Sequence, residues 1–578
     1  MSNTDHILDN KGIIQILKLT ASLLELYGEN QFKVRSYQTA VYNLERTEQE
    51  LKELNEKQLA ELSGVGKSIA STIQEIKQTG NSSALENLLK QTPTGILELL
   101  KVKGIGSRKI KTVWDQLGVE TAEELLSAAM GGELADLSGF GVKTQDKILQ
   151  IIRFHLSNKH LIHYKEAHLQ GLSIEQQINL QYPDARFSRT GPFRRKVEVV
   201  RSIQYVWATD KIGDAGDFLD SLDGLVKNLQ LSGPVRWRGK FNDSSVSLDI
   251  RFCNIENYGT KLVYFTGNNG HLSLTNEQGK SLNEVLMQAY SDESTVYSKM
   301  GWPVIIPELR EGWYEKEFVQ EKKMDDIIVT EDLQGILHNH STYSDGKHSL
   351  EEMARACRNL GYGYLGISDH SQTAVYANGL DEDTILVQHQ EIDRLNQELA
   401  PFRIFKGIES DILSDGRLDY PDSVLQTFDF VVASVHFNMN MDIDKATERL
   451  LKAVKNPYTT ILGHPTGRLL LKREGYLIDH RKVIDACADH EVVIEINAHP
   501  WRLDLDWRWV HYALEKGVKI SINPDAHEKA GLEDVYYGVC VARKAGLTRD
   551  MTFNAMNTKE MDLYLSSRKS QVSILSSV

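Results

Sequence analysis

From residue 1 to about 160, helix-forming residues place apolar positions at a period near 3.6, and strand-like runs are almost absent. This part is expected to be all-α. Between about 180 and 320 the pattern changes: SSVSLDI (Ser244 to Ile250) and KLVYFTG (Lys261 to Gly267) alternate as strands do, so sheet is expected to join helix. On the first run Val246, Leu248 and Ile250 share one face and leave Asp249 on the other. The charged segment EKEFVQEKKMDD (Glu315 to Asp326) reads as a connector at the main boundary.

Beyond it come seven short apolar runs, GILHNH, YLGISDH, FKGIES, VVASVHF, ILGHP, VIEINA and ISINPDAH, with helical patterns between most of them. Strand alternating with helix implies parallel strands, and repetition of that unit implies a barrel. Ser349 and Glu352 form a capping box at the start of one connecting helix. The expected organisation is a helical part over residues 1–160, a mixed α+β part over 161–320 and an α/β barrel over 333–570.

A chain of 578 residues is too long for one core, which agrees with this division. Its formal charge of −14, from 66 basic and 80 acidic residues, excludes a uniformly basic nucleic-acid-binding surface and leaves room for local basic patches. Cys253, Cys357, Cys487 and Cys540 lie far apart, so neither a disulfide framework nor a cysteine zinc site is expected. The start, MSNTDHILDNKG, is not an apolar signal, and no apolar run approaches the roughly 20 residues that span a bilayer. A cytoplasmic protein without a membrane partner is expected.

One pattern occurs three times in the helical part: LSGVGKS (Leu62 to Ser68), VKGIGSRK (Val102 to Lys109) and LSGFGVK (Leu137 to Lys143). Each is a Gly-hydrophobic-Gly turn with a basic residue soon after it. The glycines let backbone N–H groups face outward at a helix start, where they can cradle a phosphate without reading bases. The candidate DNA contacts are Gly64, Gly66 and Lys67, then Gly104, Gly106, Arg108 and Lys109, then Gly139, Gly141 and Lys143. Lys101, Lys103 and Lys111 add positive charge around the second copy. A single copy would read as a glycine-capped helix connection; three copies favour DNA. A nucleotide P-loop does not fit, because Glu61 stands where GKS (Gly66 to Ser68) would need its first glycine. The pattern resembles the helix-hairpin-helix motif of sequence-independent DNA-binding proteins.

GENQFKVRSYQTAVYNLER (Gly28 to Arg46), these hairpins, the double-arginine strand GPFRRKVEVVRSIQYV (Gly191 to Val206), SLDIRFCNIENYGTKLVYFTG and IIPELREG (Ile305 to Gly312) together resemble the polymerase core of bacterial family X DNA polymerases. The resemblance covers roughly residues 1 to 320 and implies a nucleotidyltransferase-like palm and thumb. In that family a Gly-Ser-x-Arg-Arg stretch holds the incoming nucleotide's phosphates, and three aspartates on two strands bind two metal ions. Here Gly191, Arg194, Arg195 and Glu198 match, Pro192 replaces the serine, Ser202 and Gln204 fall on two aspartate positions, and Asp249 is the one acid that remains. Asn268 follows YFTG where the family usually has serine. One carboxylate cannot hold two dications against their repulsion, and Asp210 or Asp214 in the downstream loop lacks the strand geometry. Gly191, Arg194, Arg195 and Asp249 are therefore expected to be a nucleotide-binding remnant, with polymerisation absent or very weak.

The barrel runs end in a different chemistry. His338 and His340 alternate on one strand, Asp345 follows in the loop, and later runs end in Asp369-His370, Glu409, His436, His464, and Asp525 with His527. In a parallel barrel all strand C-termini open at one face, so these groups converge. Imidazoles and carboxylates without thiolates suit Mn²⁺, Zn²⁺ or Fe²⁺ more than Ca²⁺ or Mg²⁺. The pattern resembles the PHP (polymerase and histidinol phosphatase) phosphoesterase family over residues 333 to about 570, which implies a distorted (β/α)7 barrel. By that resemblance His338, His340, Glu409 and Asp525 would hold one ion, Glu409 would bridge to a second held with His436 and His464, and Asp345, His370 and His527 would hold a third. Such ions acidify water and neutralise phosphoryl charge without a separate general base. Glu409, Asp525 and His436 would thus act in catalysis, Arg468 could steady the phosphate or equally make a surface ion pair, and Asp369 could orient a ligand histidine.

The combined layout resembles a bacterial family X polymerase with a PHP domain. It implies a DNA-binding, metal-dependent phosphoesterase, a 3′-to-5′ exonuclease or 3′-end processor in DNA repair acting on gapped or 3′-ended DNA. The alternatives are an active polymerase with exonuclease, a phosphatase of a small phosphorylated metabolite, and a non-catalytic DNA-binding scaffold.

Overall fold

The computed structural model describes residues 9–575 apart from 48, 103, 243–245 and 322. Lys103 and the first two residues of the expected strand SSVSLDI thus lie outside the described residues. The chain divides into two compact units, Met1–Lys159 and His160–Val578. The second holds both the sheet expected over 161–320 and the barrel expected over 333–570 around a continuous apolar core.

The first unit is helical throughout its described residues. Its core is built from one face of each helix, including Leu17 and Leu24 of Asn10–Leu26, Ile69 and Ile73 of Lys67–Thr79, and Ile148 and Ile152 of Val142–Asn158. That i, i+4 and i, i+7 burial is the period seen in the sequence.

The second unit opens with β1 (Ile162–His163), β2 (Arg186–Arg189), β3 (Val199–Val200), β4 (Ser202–Ala208), β5 (Leu225–Lys227), β6 (Arg236–Phe241) and β7 (Ser247–Cys253). Five of these form a sheet in the order β2-β4-β7-β6-β5, in which β4 and β7 are parallel. One face carries Ile203, Tyr205, Trp207, Leu248, Ile250 and Trp237 into the core. The helix Tyr164–Gln181 packs there through Ile174 and Ile178.

KLVYFTG is not a strand. Residues Tyr258–Thr266 form a helix with Tyr258, Leu262 and Thr266 buried on one side. Aromatic and β-branched residues gave the segment a strand-like composition, but burial at i, i+4 and i+8 sets the helical period. The charged connector also differs from expectation. Glu315–Glu321 is helical, and Glu315 is buried against His271, 3.2 Å from its Nδ1.

The seven apolar runs are seven strands: β8 (Gly335–Ile336), β9 (Tyr364–Ile367), β10 (Arg403–Asp411), β11 (Phe430–Ser434), β12 (Ile461–Leu462), β13 (Val493–Asn497) and β14 (Ile520–Asn523). They pair in parallel in sequence order. A bridge between Asn339 and Ala526 brings the first strand's end to the last, and the buried Asn554 amide donates to Gly335 O and Ile522 O. The sheet is thereby nearly closed into a barrel. The Ser349–Glu352 capping box opens the helix Leu350–Asn359. Among the described residues, no helix is long and apolar enough to cross a membrane.

Candidate metal centre and DNA-facing elements

All nine expected ligands come together at the carboxyl ends of the barrel strands. The spread of nearly 200 residues in sequence collapses because six parallel strands end at this one face. Glu409, on β10, is the hub. Its Oε1 lies 2.9 Å from His464 Nε2, 3.2 Å from His436 Nε2 and 3.3 Å from His338 Nε2, and its Oε2 lies 2.9 Å from His370 Nδ1. Asp525 Oδ1 is 3.1 Å from His340 Nε2 and 3.6 Å from His338 Nε2. Asp345 Oδ1 is 3.2 Å from His527 Nε2 and 3.5 Å from His370 Nε2, on the more exposed side. His340, Asp345, His370 and His527 offer ligand atoms within a few ångströms of one another, as do His338, His464 and Asp525, and His370, Glu409 and His436.

The donor set fits divalent metal ions. His338 Nε2, both ring nitrogens of His340, His464 Nδ1 and Glu409 Oε2 are buried without a hydrogen bond. Burying so many polar atoms unpaired costs free energy that ligation would recover. Burial alone would push the Glu409 and Asp525 carboxyls up; His436, His338 and His370 around the first, and His338, His340 and His527 around the second, hold both well below the ordinary range. Burial would lower His436, yet Glu409 and Asp411 raise it to about 10. His436 is thus favoured in its charged form beside Glu409, whereas burial and the neighbouring His527 and His370 push His340 down to about 3. Asp525 also has φ 53°, a left-handed conformation uncommon outside glycine.

Several residues that support this centre were not singled out in the sequence. Glu495, fully buried on β13, accepts from His338 Nδ1 at 2.8 Å, from His464 N at 2.9 Å and from Asn523 Nδ2 at 3.1 Å. It leaves His338 Nε2 free to face the pocket. Asp411 accepts from His436 Nδ1 at 2.6 Å in the same manner. Both stand two positions from a noted residue or within a quoted run, so the alternation of a strand with two buried faces could have found them. Glu495→Gln is expected to weaken Mn²⁺ binding roughly 10- to 100-fold with the barrel intact, measured by calorimetric titration and circular dichroism.

One expected supporting role is corrected. Asp369 orients no ligand histidine; its carboxylate accepts from Ser341 N and Oγ, Ser344 Oγ and Gln388 Nε2, and so fixes the loop that carries Asp345. Of the two readings of Arg468, a phosphate contact or an ion pair, the structure contains the ion pair. Arg468 donates to the Arg502 and Leu503 carbonyls and pairs with Asp506. The cation that these bonds deliver to the centre is Arg502, whose Nε lies 3.7 Å from Asp525 Oδ2.

The three glycine turns lie in the helical unit. Gly66, Gly106 and Gly141 immediately precede the helices Lys67–Thr79, Ser107–Leu117 and Val142–Asn158. Val65 and Ile105 are buried beneath turns whose glycines are exposed, which leaves backbone N–H groups outside. Gly104 has φ 101°, and a Cβ there would lie 2.8 Å from Ile151 Cδ1, so the turn requires glycine. Lys67, Arg108 and Lys143 are exposed beside these turns, Lys109 is half-buried, and Lys111 pairs with Asp115 at 2.6 Å.

In the palm-like sheet the arginines are already occupied. Arg194 makes two hydrogen bonds of 2.8 Å to Glu293, and Arg195 donates to Glu311 at 2.9 Å and to Thr266 O at 2.7 Å. Gly191 has φ 62°, and its missing Cβ leaves the space taken by the Gln204 amide, which bonds to Ser202 Oγ at 2.9 Å. Asp249 is buried under guanidinium groups: Arg236 Nε and Nη2 at 2.7 and 2.6 Å, and Arg251 Nη2 at 3.2 Å. Glu198 is paired with Arg508 of the barrel at 3.3 Å.

Comparison with known proteins agrees with this division. Residues 8–82 match a helix-hairpin-helix domain, residues 96–153 a SAM-like helix-hairpin-helix tandem, and residues 337–499 a PHP domain. The chain is 28% identical to a probable phosphatase of Thermoanaerobacter sp. (strain X514) over 41% of this chain and 95% of the relative. It is 36% identical to the DNA polymerase/3′-5′ exonuclease PolX of Bacillus subtilis (strain 168), over 96% of this chain and 99% of that protein. Alignment over nearly the full length of both chains at that identity, with the hairpin and PHP modules in place, shows that this chain belongs to the bacterial family X DNA polymerases with a C-terminal PHP domain.

Proposed function

We propose that this protein is a DNA-binding, metal-dependent phosphodiesterase that trims or dephosphorylates 3′ ends, on a polymerase scaffold that no longer transfers nucleotides. The observation that carries the reading is the contrast between the two sites. The barrel retains nine converging ligands with unpaired buried nitrogens, whereas the palm retains one acid already bound by arginine. The names of the relatives, a polymerase/exonuclease and a probable phosphatase, support the same chemistry.

His338, His340, Glu409 and Asp525 would hold one ion, His436 and His464 with Glu409 a second, and Asp345, His370 and His527 a third; Mn²⁺, Zn²⁺ and Fe²⁺ suit these ligands. When bound, the ions supply Lewis acidity to water and to the phosphoryl oxygens. The chain's own residues orient the substrate. Arg502 brings a guanidinium to the rim beside Asp525, and its charge, after burial, contributes to holding His464 below its ordinary pKa. A bidentate cation at that point can grip the non-bridging oxygens of a phosphodiester. Tyr376 is 61% exposed with its ring 6.3 Å from His370, and Trp501, beside Arg502, is 46% exposed. Exposed rings at the rim suit stacking on terminal bases of a single strand, which favours DNA over a small metabolite. The free thiols of Cys253, Cys357, Cys487 and Cys540 suit a reducing cytoplasm.

The test uses 5′-labelled single-stranded and gapped DNA with Mn²⁺, with and without nucleotides. Shortening from the 3′ end that does not depend on nucleotides is expected. Arg502→Ala should lower kcat/KM by about 10- to 100-fold, equivalent to about 1.5–3 kcal/mol for a lost charge-assisted hydrogen bond, while Mn²⁺ content stays unchanged. Lengthening of the label, or no change with the metals bound, would refute the reading.

A further inference from the structure

We propose that the amino-terminal mouth of the barrel carries a second ligand site, a cavity that takes a free nucleoside monophosphate between Arg358, Arg403 and Lys559. It goes beyond the hydrolytic reading, because it uses none of the metal ligands and needs no bond cleavage.

The strand starts put this site on the side of the barrel opposite the metal centre. Tyr364 opens β9 and Arg403 opens β10. The Arg403 N–H donates to Gly363 O and the Gly363 N–H to Gln334 O, which ties the strand starts together. Glu409 lies six residues further along β10, so at about 3.3 Å per residue the two sites are about 20 Å apart. A cavity of about 770 Å³ opens at the mouth, within the roughly 300–1,000 Å³ of small-molecule sites. Residues 399–402 form its apolar wall, with Leu399 and Phe402 buried and Pro401 exposed. Asn396 fixes that wall by bonding the N–H and the carbonyl of Ile404, at 2.7 and 3.0 Å. Tyr362 is half-buried beside it, and burial pushes its phenol up to about 12, so the hydroxyl stays a neutral donor.

Charge selects the ligand. Arg358 and Lys559 are exposed and make no ion pair among the described residues. Arg403 reaches only Asp562, at 3.9 Å, and its Nε is buried without a hydrogen bond. A guanidinium nitrogen left unpaired out of water costs free energy that an anionic oxygen in the cavity would recover. Three cations against one carboxylate leave the lining with a net charge of +2. That balances a phosphomonoester, which carries about −1.5 to −2 at pH 7, and exceeds the single charge of a phosphodiester. A free mononucleotide is therefore the better match than the backbone of DNA. The apolar wall and the flat guanidinium groups also offer its base a stacking surface, which inorganic phosphate cannot use. Hydrolytic removal of a 3′ nucleotide yields a ligand of this class.

The full chain is titrated with deoxyadenosine 5′-monophosphate by calorimetry in EDTA, so that no ion at the metal centre attracts the phosphate. Saturable binding is expected. Arg358→Gln/Lys559→Gln should weaken it about 10-fold, the joint effect of two solvent-facing charge contacts, with circular dichroism unchanged. Asp562→Asn should tighten it about 3-fold, because it removes the carboxylate that competes for Arg403. Deoxyadenosine, inorganic phosphate and the methyl ester of the monophosphate, a diester, should each bind more weakly than the monophosphate itself. Absence of binding in EDTA, an unchanged affinity in the double variant, weaker or unchanged binding in Asp562→Asn, or equal binding of inorganic phosphate or the diester would each overturn the proposal. With metal absent, these outcomes are separate from failure of the hydrolytic reading.

Discussion

Glu409→Gln should strip metal from the barrel and lower its phosphodiesterase activity by about 10²- to 10³-fold. The substitution preserves shape and removes one negative charge. In the native pocket that charge is shared among His338, His370, His436 and His464, all with a ring nitrogen within 3.3 Å of a Glu409 oxygen. An amide would turn a donor towards at least one of them, and cations in the pocket would lose a buried counter-charge, at a cost of about 3–4 kcal/mol. That cost corresponds to about 10²- to 10³-fold in affinity. Metal content by elemental analysis and cleavage of single-stranded DNA in Mn²⁺ check the prediction. The effect should exceed that of Glu495→Gln, because Glu495 acts only through His338, the backbone of His464 and Asn523. Full metal content and a normal rate in the Glu409 variant would refute the assignment of this cluster.

Much of this site was legible in the sequence because ligand chemistry uses few residue types. A histidine, aspartate or glutamate at the end of each apolar run is visible in the chain, and parallel strands bring those ends together by topology alone. Residues whose role depends on loop path were not visible. Arg468 and Arg502 are both arginines after a barrel strand; only the folded loop shows that the first binds the carbonyls of residues 502 and 503 and the second faces Asp525. Glu495 sits inside an apolar run, where a carboxylate on a strand buried on both faces stands out, but its role is set by its partners His338 and His464. The helix Tyr258–Thr266 was misread because its composition is strand-like and its period short, whereas its packing under Val206 and Ala208 decides the conformation. The glycine turns were legible as turns because the first glycine of each, Gly64, Gly104 and Gly139, has a positive φ that favours glycine, a constraint local enough to appear in a few residues.

Placing acids at Ser202 and Gln204 should not confer polymerisation. The native chain should give no template-directed incorporation in Mg²⁺ or Mn²⁺, and Ser202→Asp/Gln204→Asp should remain at the same background. The alignment of positions makes that double change look sufficient, since Gln204 is directly opposite Asp249 and Ser202 is its neighbour on the same face. The electrostatics argue otherwise. New carboxylates at 202 and 204 would enter a face already populated by Arg251 on the adjacent β7 and by Arg236, Arg238 and Lys240 one strand beyond, which can serve as counter-charges. Forming internal ion pairs requires no capture of metal from solution and no displacement of the bidentate Arg236–Asp249 pair. Because the carboxylate introduced at 204 would stand directly opposite Asp249, the double variant should be somewhat less stable to heat than the native chain. Arg194 and Arg195 would remain held by Glu293 and Glu311, so the triphosphate would still lack its clamp. Primer extension by the double variant, read on a gapped template with the exonuclease centre disabled by His340→Ala, would show that the arginines yield to metal and would refute the prediction.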